Sequence, residues 1–369
     1  MTTILGIDPG TNITGFGVIK LSKNADISYV HHGIIKTGLK NRYTTKLSMI
    51  NQATTDIIQK YVYSPYLVKY HKQYYRMISH VFFHADFTHL MFNMFSLFFL
   101  GDNIYGDVPS GLPWKLKRSY DKQKKDLPSW LMSKEIHMIW DDHDYGKNDG
   151  GGSYRFKKYA QDLYIDFWDI ADNDPRANRE GIYYQKLQNI NGLRVLFVGL
   201  DTRYFRSNIE EKDDVYLPNL EPDATFLGDK QWAWLTNTVK QEHDLLILAS
   251  SIQVLATEHR FEKWSNFPLE RNKLLNMIQS SGKQVVVISG DRHRGGIYKF
   301  ENLYELTASS MNKPVKGYET DSLLIGKTYP QENYGIISVN SKTAEITLKL
   351  KDKKGVLLES ASIPLKNYK

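Results

Sequence analysis

Four stretches of the sequence gather side chains able to hold cations or anions. They are Gly101-Asp102-Asn103-Ile104-Tyr105-Gly106-Asp107, the run from Asp141 to Asp149, Asp201-Thr202-Arg203, and Gly290-Asp291-Arg292-His293. The second stretch packs four aspartates and one histidine into nine residues. Unpaired carboxylates that close repel one another and resist ionisation. A multivalent cation removes that penalty, and carboxylate, imidazole and amide oxygen are its usual ligands. The alternative is a solvated acidic turn. An acidic loop directly after an apolar run, with Gly-Asp loops on two other segments, favours a metal centre over that alternative. Asp291 and His293 are two residues apart after a strand-like run, so they point to one side; a turn with an aspartate cap is the plainer reading. Arg203 could pair with Asp201 or clamp a phosphate bidentately, and the residues leave both open. His243 and His259 read as surface residues.

The elements that would position these loops are apolar runs of strand length. Ile136–Trp140, Val195–Leu200, Leu245–Ser250 and Val285–Ser289 each end in small or polar residues. Trp232–Val239 and Glu270–Gln279 read as helices between them, and a Lys-rich helical segment reaches about Lys125. After Leu303 the pattern is strand only. Strands ending in polar loops predict an α/β sandwich with its site along one sheet edge.

The first hundred residues differ in character. Residues 3–20 form two β-branched runs around Pro9-Gly10, a hairpin pattern, with a third run over Ile27–Thr37. Lys46–Tyr61 carries apolar residues at helical spacing. Residues 62–100 are dense in aromatics and histidine, and from Phe87 onward the pattern predicts one apolar helix. That run is too short for a membrane span. The chain has 369 residues and a net charge of +7, and the excess of Lys and Arg sits mainly in residues 1–100. No glutamate precedes Glu135, which marks a composition boundary. The absence of cysteine excludes disulfides, thiolate nucleophiles and cysteine-ligated zinc. The N-terminus lacks a signal-peptide pattern, which predicts a cytoplasmic chain as written.

Residues from about 100 to 369 resemble the PhoD-like alkaline phosphatases, a branch of the calcineurin-like metallophosphoesterases. The resemblance rests on LGDNIYGD, WDDHDYGKNDGG, FWDIADNDPRANREGIYY, LDTRYFRS, YLPNLEPDATFLGDKQWAWL, ASSIQVL, EKWSNFPLER and SGDRH. It implies an α/β/β/α sandwich with two metal ions, Ca²⁺ and Fe³⁺ by family resemblance, with Mn²⁺, Mg²⁺ or Zn²⁺ as alternatives. Asp102 would bridge both ions, Tyr105 would be a phenolate ligand, and Asp142, Asp291 and His293 would complete the ligand set. His143 would face the substrate, and with Arg203 would stabilise charge during hydrolysis of a phosphate mono- or diester. The resemblance also implies an upstream strand with a Ser-Cys ligand. Without it, the sandwich is expected to be incomplete at its N-terminal strand and its activity impaired. PhoD-like enzymes are usually exported.

GIDPG with TGFGVI resembles the start of RuvC-type Holliday-junction resolvases, which have an RNase H-like fold. Asp8 would be their first metal-binding carboxylate. The partner carboxylates are absent, so Asp8 is vestigial, and residues 1–60 imply at most weak DNA binding. The run YRMISHVFFHADFTHLMFNMFSLFFLG resembles the beginning of rhomboid proteases, without their Gly-x-Ser-Gly motif. It implies membrane association through residues 78–100; a metal pair of His84 and His89 is disfavoured by their spacing. The expected organisation is thus a composite: residues 1–60, 61–100 and 101–369. The phosphatase reading predicts that Asp102, Asp142, His143, Asp291 and His293 converge. The alternatives are a DNA-binding fragment protein without nuclease activity and an inert fusion.

Overall fold

The computed structural model describes residues 2–8, 13–21, 27–36, 49–50, 53, 96–128, 131, 134–190, 192–311, 313–340 and 343–365. The chain divides into two compact units, Met1–Phe95 and Ser96–Lys369. In the first, β1 (Thr2–Asp8), β2 (Ile13–Leu21) and β3 (Ile27–Lys36) form an antiparallel sheet with β2 in the centre. Asp8 ends β1 opposite Gly15, as the hairpin pattern requires. The Asp8 side chain, Asp26, Asp56, His84, His89 and the whole of 54–95 lie outside the described residues. Within the described residues no helix is long and apolar enough to cross a membrane.

The second unit opens on β4 (Ser96–Leu100), which pairs in parallel with β5 (Glu135–Ile139). This corrects the expectation of a helix running to Leu100 with no strand before Gly101. A five-residue apolar run suits helix and strand alike by pattern; pairing with β5 decides it here. Phe98 stacks on His137 and packs against Phe197, while Phe99 meets Trp168. Among the described residues no further strand joins this pair. Helix α1 (Leu116–Asp126) lies between β4 and β5 in the chain, and α2 (Asp142–Tyr145) follows β5. Two more helices, α3 (Lys157–Phe167) and α4 (Pro175–Asn178), lead into the main sheet.

That sheet has seven strands. They are β6 (Tyr184–Ile190), β7 (Leu193–Gly199), β10 (Leu245–Ser250), β11 (Gln284–Ser289), β12 (Gly295–Phe300), β13 (Leu303–Ala308) and β14 (Leu324–Tyr329), in the order β14-β12-β13-β11-β10-β7-β6. A short ribbon of β8 (Glu211–Lys212) and β9 (Val215–Tyr216) stands apart. Strands β7, β10, β11 and β13 run parallel. The residues of β10 and β11 are buried throughout, which is why they read as unbroken apolar runs rather than alternating ones. Helices α5 (Gly228–Thr238) and α6 (Pro268–Ser281) fall where the helical pattern put them. Pro268 starts α6, and Gly282, at φ +62°, ends it in the left-handed conformation glycine favours. The chain closes with the antiparallel sheet of β15 (Asn333–Asn340), β16 (Glu345–Asp352) and β17 (Leu357–Pro364).

Alternation along the central strands divides the interior in two. Val195, Phe197, Ile247 and Ile288 face a core shared with β16, α1 and α3. Leu196, Val198, Leu248 and Val287 face a core shared with α5 and α6. The result is the expected α/β/β/α layering, with polar loops emerging from the carboxyl ends of β4, β5, β7, β10 and β11.

His137 sits in the first core, 2% exposed, with neither ring nitrogen hydrogen-bonded. Burial holds its pKa down to about 4, against the pull of Glu135, so the ring is neutral. Nε2 lies 3.5 Å from Glu135 Oε1, a contact that repays little of the desolvation of the two nitrogens. His137→Phe keeps the stack on Phe98 and removes them. It is expected to stabilise the chain by about 1–3 kcal/mol, measured by urea denaturation at pH 7.

Candidate metal centre

Loop geometry at the strand ends brings the acidic stretches together. Gly101 follows β4 at φ +100°, and a Cβ there would lie 2.3 Å from the Asp141 Cβ. Only glycine lets the first loop lie against the second. Asp144 then ties the two: Oδ1 accepts from the Ile104 N–H at 3.0 Å, and Oδ2 from the Asp141 N–H at 3.0 Å and the Asn103 amide at 3.2 Å. Asp102, Asp291 and His293 all take positive φ, at 53°, 63° and 52°. Such backbone is uncommon outside glycine, and aspartate and histidine are among the residues enriched in it.

Asp102 is the hub. Its Oδ2 accepts from the Tyr105 hydroxyl at 3.1 Å and lies 3.9 Å from His293 Nε2. Ligand atoms of Asp102, His143 and His293 lie within 4.8 Å of one another, and so do those of Asp102, Asp141 and Asp142. Asp102 Oδ1 and Asp141 Oδ2 are both buried without a hydrogen-bond partner. Burial, and then the neighbouring Asp142, Asp141, Asp144 and Asp291, hold the Asp102 carboxyl well above its usual range. Asp291 is raised in the same way, by burial and then Asp141; Arg292 offsets part of this. Asp142 goes the other way. Burial pushes it up, but Arg203, His143 and the N–H groups of Asp149 and His143, at 2.8 and 2.7 Å, outweigh that.

His143 is held by Asp107, whose Oδ1 lies 2.7 Å from Nδ1. Burial pulls its pKa down, yet the Asp107 bond and the charge of Asp142 carry it up to about 8. The ring lies 4.3 Å from that of Tyr105. Burial and then Asp102 push the Tyr105 pKa upward, so without a metal the phenol keeps its proton and donates it to Asp102. His293 is fixed through Nδ1 by the Lys313 carbonyl, 2.6 Å away, leaving Nε2 towards Asp102.

Arg203 departs from both readings of its stretch. Its guanidinium is fully buried, with Nε 2.7 Å from Asp141 Oδ1 and Nη1 2.6 Å from Glu262 Oε2. Asp201 instead accepts from the N–H groups of Arg203 and Tyr204 and from Trp140 Nε1. Arg203 is therefore engaged by two carboxylates. Ser251 adds a hydroxyl to Asp141 Oδ1 at 2.8 Å, and Arg206 reaches Glu262 at 3.0 Å. Sequence reasoning missed Glu262 and Ser251. Ser251 lies in a quoted polar strand end, and Glu262 opens the quoted stretch EKWSNFPLER, though neither is singled out there. His243 and His259 are corrected too: they are 2% and 8% exposed, not surface residues.

The donors are oxygen and imidazole nitrogen, with two buried carboxylate oxygens left open. This chemistry fits hard or borderline cations. Such a centre at the strand ends of an α/β/β/α sandwich defines the metallophosphoesterase class. The chain belongs to the PhoD-like phosphatase family, whose model matches residues 113–342. Two other family models match upstream: crossover junction endodeoxyribonuclease RuvC over residues 4–85, and the rhomboid domain over 71–109. Asp102 and Tyr105 thus lie in the rhomboid match and outside the phosphatase match, although Asp102 sits at the centre of the cluster. RuvC proteins of Bdellovibrio bacteriovorus and Pseudomonas fluorescens are 34% and 41% identical over 58 and 61 residues. Each match covers 16% of this chain and 34% of the relative, so the chain spans about a third of the length of these curated relatives. Among solved structures, purple acid phosphatase from yellow lupin is 10% identical at a TM-score of 0.48, over 95% of this chain and 59% of that one. An anchor protein of the Plasmodium inner membrane complex is 14% identical at 0.49, over 74% and 79%.

Proposed function

We propose that residues 101–369 hydrolyse phosphate mono- or diesters at a two-metal centre. One observation carries this: Asp102 belongs to both donor groups, as a carboxylate shared between two ions would. Asp102, Asp141, Asp142 and His293 would hold the ions, with Asp291 beside them. When bound, two cations supply positive charge to the phosphate oxygens and acidify a water. The protein's own work is placement and proton supply. Asp107 holds His143 at Nδ1, which leaves Nε2 for the substrate, and the raised pKa keeps the ring protonated near neutral pH. A protonated His143 stabilises negative charge on the phosphate and donates to the leaving oxygen. Arg203 acts indirectly by fixing Asp141. The strand β4 restores the approach to Gly101, so the missing cysteine removes a ligand without removing the loop.

The test is hydrolysis of bis-p-nitrophenyl phosphate by the full chain, with and without chelator. Turnover is expected to depend on added metal and to fall about 10²–10⁴-fold in His143→Ala. Turnover that survives both treatments would rule out this centre.

The RuvC match over residues 4–85 supports a second reading, weak DNA binding by the first unit. It predicts binding that is lost between about 50 and 200 mM salt, read by fluorescence anisotropy with a labelled junction.

A further inference from the structure

Beyond the acidic cluster, positive groups converge on Phe261. Arg292 lays its guanidinium over the Phe261 ring, 4.0 Å from the centroid. Lys263 donates from Nζ to the Phe261 carbonyl at 3.0 Å. The His259 ring lies 6.3 Å from the Phe261 ring, and Arg294 donates from Nε to the Arg292 carbonyl at 3.2 Å. His259 is 8% exposed, and both its ring nitrogens are buried without a partner. Arg292 Nε is likewise unpartnered. Lys263 is 6% exposed, and among the described residues no carboxylate lies within 4.0 Å of its Nζ.

The acids nearby are already engaged. Glu319 binds Arg292 and lies 3.4 Å from Arg294 Nε. Asp291 is 3.8 Å from Arg292 and belongs to the acidic cluster. Asp321 accepts from the N–H groups of Thr257, Glu258 and Leu323. Both ring nitrogens of His259 and the Nε of Arg292 are left unanswered, and Lys263 Nζ meets a neutral carbonyl, an arrangement that is costly when buried. Burial, and then Arg292, push the Lys263 pKa down to about 8, although Asp321 and Glu319 offset part of this. An anion held by the unanswered donors removes the cost of burying them.

We infer that His259, Lys263 and the Nε edge of Arg292 form a subsite for a second phosphate group of the substrate, next to the ester held by the acidic cluster. Arg292 adjoins Asp291 in sequence and in space, so the two anionic groups would be neighbours on one molecule. Phe261, 37% exposed, forms the outer wall of the subsite. The inference rests on the phosphoesterase reading and adds a substrate class to it: esters with a second phosphate.

The test compares two substrates with one leaving group, the p-nitrophenyl ester of thymidine 5′-phosphate with and without a 3′-phosphate. For the full chain with metal, kcat/KM is expected to be at least about tenfold higher for the bisphosphate, the scale of one charge-assisted contact. In Lys263→Met, and independently in His259→Asn, the ratio falls to about one. Equal kcat/KM in the unaltered chain overturns the subsite and leaves the phosphoesterase reading standing. If neither ester is cleaved, that reading fails, and calorimetry still decides the subsite. Thymidine 3′,5′-bisphosphate must then bind at least about tenfold tighter than thymidine 5′-phosphate; equal affinities overturn it.

Discussion

Arg203→Met is expected to cost the chain about 3–5 kcal/mol, because it removes the cation held between two buried carboxylates. Arg203 is fully buried between Asp141 and Glu262, each about 1% exposed at the side chain. Burial lowers its pKa, but Asp141 and Glu262 more than reverse this, and the guanidinium stays charged. Methionine fills much of the volume and answers neither acid. Arg206 still contacts Glu262, so Asp141 is the group left without a cation, with Ser251 as its remaining neutral partner. For a unit of this size each kcal/mol is about 2–4 °C of melting temperature, so the midpoint should fall by roughly 6–20 °C. Turnover should fall with it, since Asp141 Oδ1 loses the partner that aims Oδ2 into the cluster. Glu262→Gln on its own should be milder, and the double variant should cost less than the sum of the two, because both break one network. Urea denaturation of the four proteins measures the coupling. A loss below 1 kcal/mol for Arg203→Met, or strict additivity, would contradict the network.

Much of this centre was legible before folding, for a physical reason. Asp141, Asp142 and His143 follow a buried strand directly, and mutual repulsion of close carboxylates is a local property. Asp291 and His293 follow another strand, but they lie in the loop beyond it at left-handed φ, so strand alternation does not by itself account for where they point. Arg203 shows the limit. Asp-Thr-Arg allows a local pair or a phosphate clamp, and the real partners are 59 and 62 residues away in the chain. Glu262 opens the quoted stretch EKWSNFPLER, but its loop has no period of its own, so only the closed fold reveals its pairing with Arg203. The misreading of Ser96–Leu100 has a similar origin. Leu97, Phe98 and Phe99 satisfy a helix face as well as a buried strand, and only the Leu100–Ile139 register settles the matter. His259 looked like a surface residue because nothing next to it is apolar except Phe261. In the fold it is 8% exposed, with the charges of Arg292 and Arg294 brought near it from a distant segment.

Asp102→Asn should separate stability from activity in the manner only a metal centre would show. Without metal, Asp102 is a buried carboxylate crowded by Asp142, Asp141, Asp144 and Asp291, and it destabilises the fold at neutral pH. The amide removes that repulsion, so the metal-free variant should melt above the metal-free parent. The same crowding sets a pH dependence. Burial first, against opposing backbone N–H bonds, raises Asp144 to about 7, and His143 sits at about 8. Between pH 6.5 and 8 the folded metal-free chain therefore holds more protons than the unfolded one, and its stability falls as pH rises. His137, neutral and buried with a pKa of about 4, opposes this trend only below its unfolded value near 6.5. Bound cations reverse the account. At a hundred times the dissociation constant they stabilise the parent by about 2.7 kcal/mol, or some 5–10 °C, and flatten the slope between pH 6.5 and 8. Asp102→Asn should gain little from metal and lose more than about a hundredfold in turnover, beyond the effect of removing an outer partner. Calorimetric melting of both proteins, with and without metal, at pH 6.5 and 8, reads all of these effects. A variant that melts lower without metal, or gains as much from metal as the parent, would show that Asp102 is not the shared ligand.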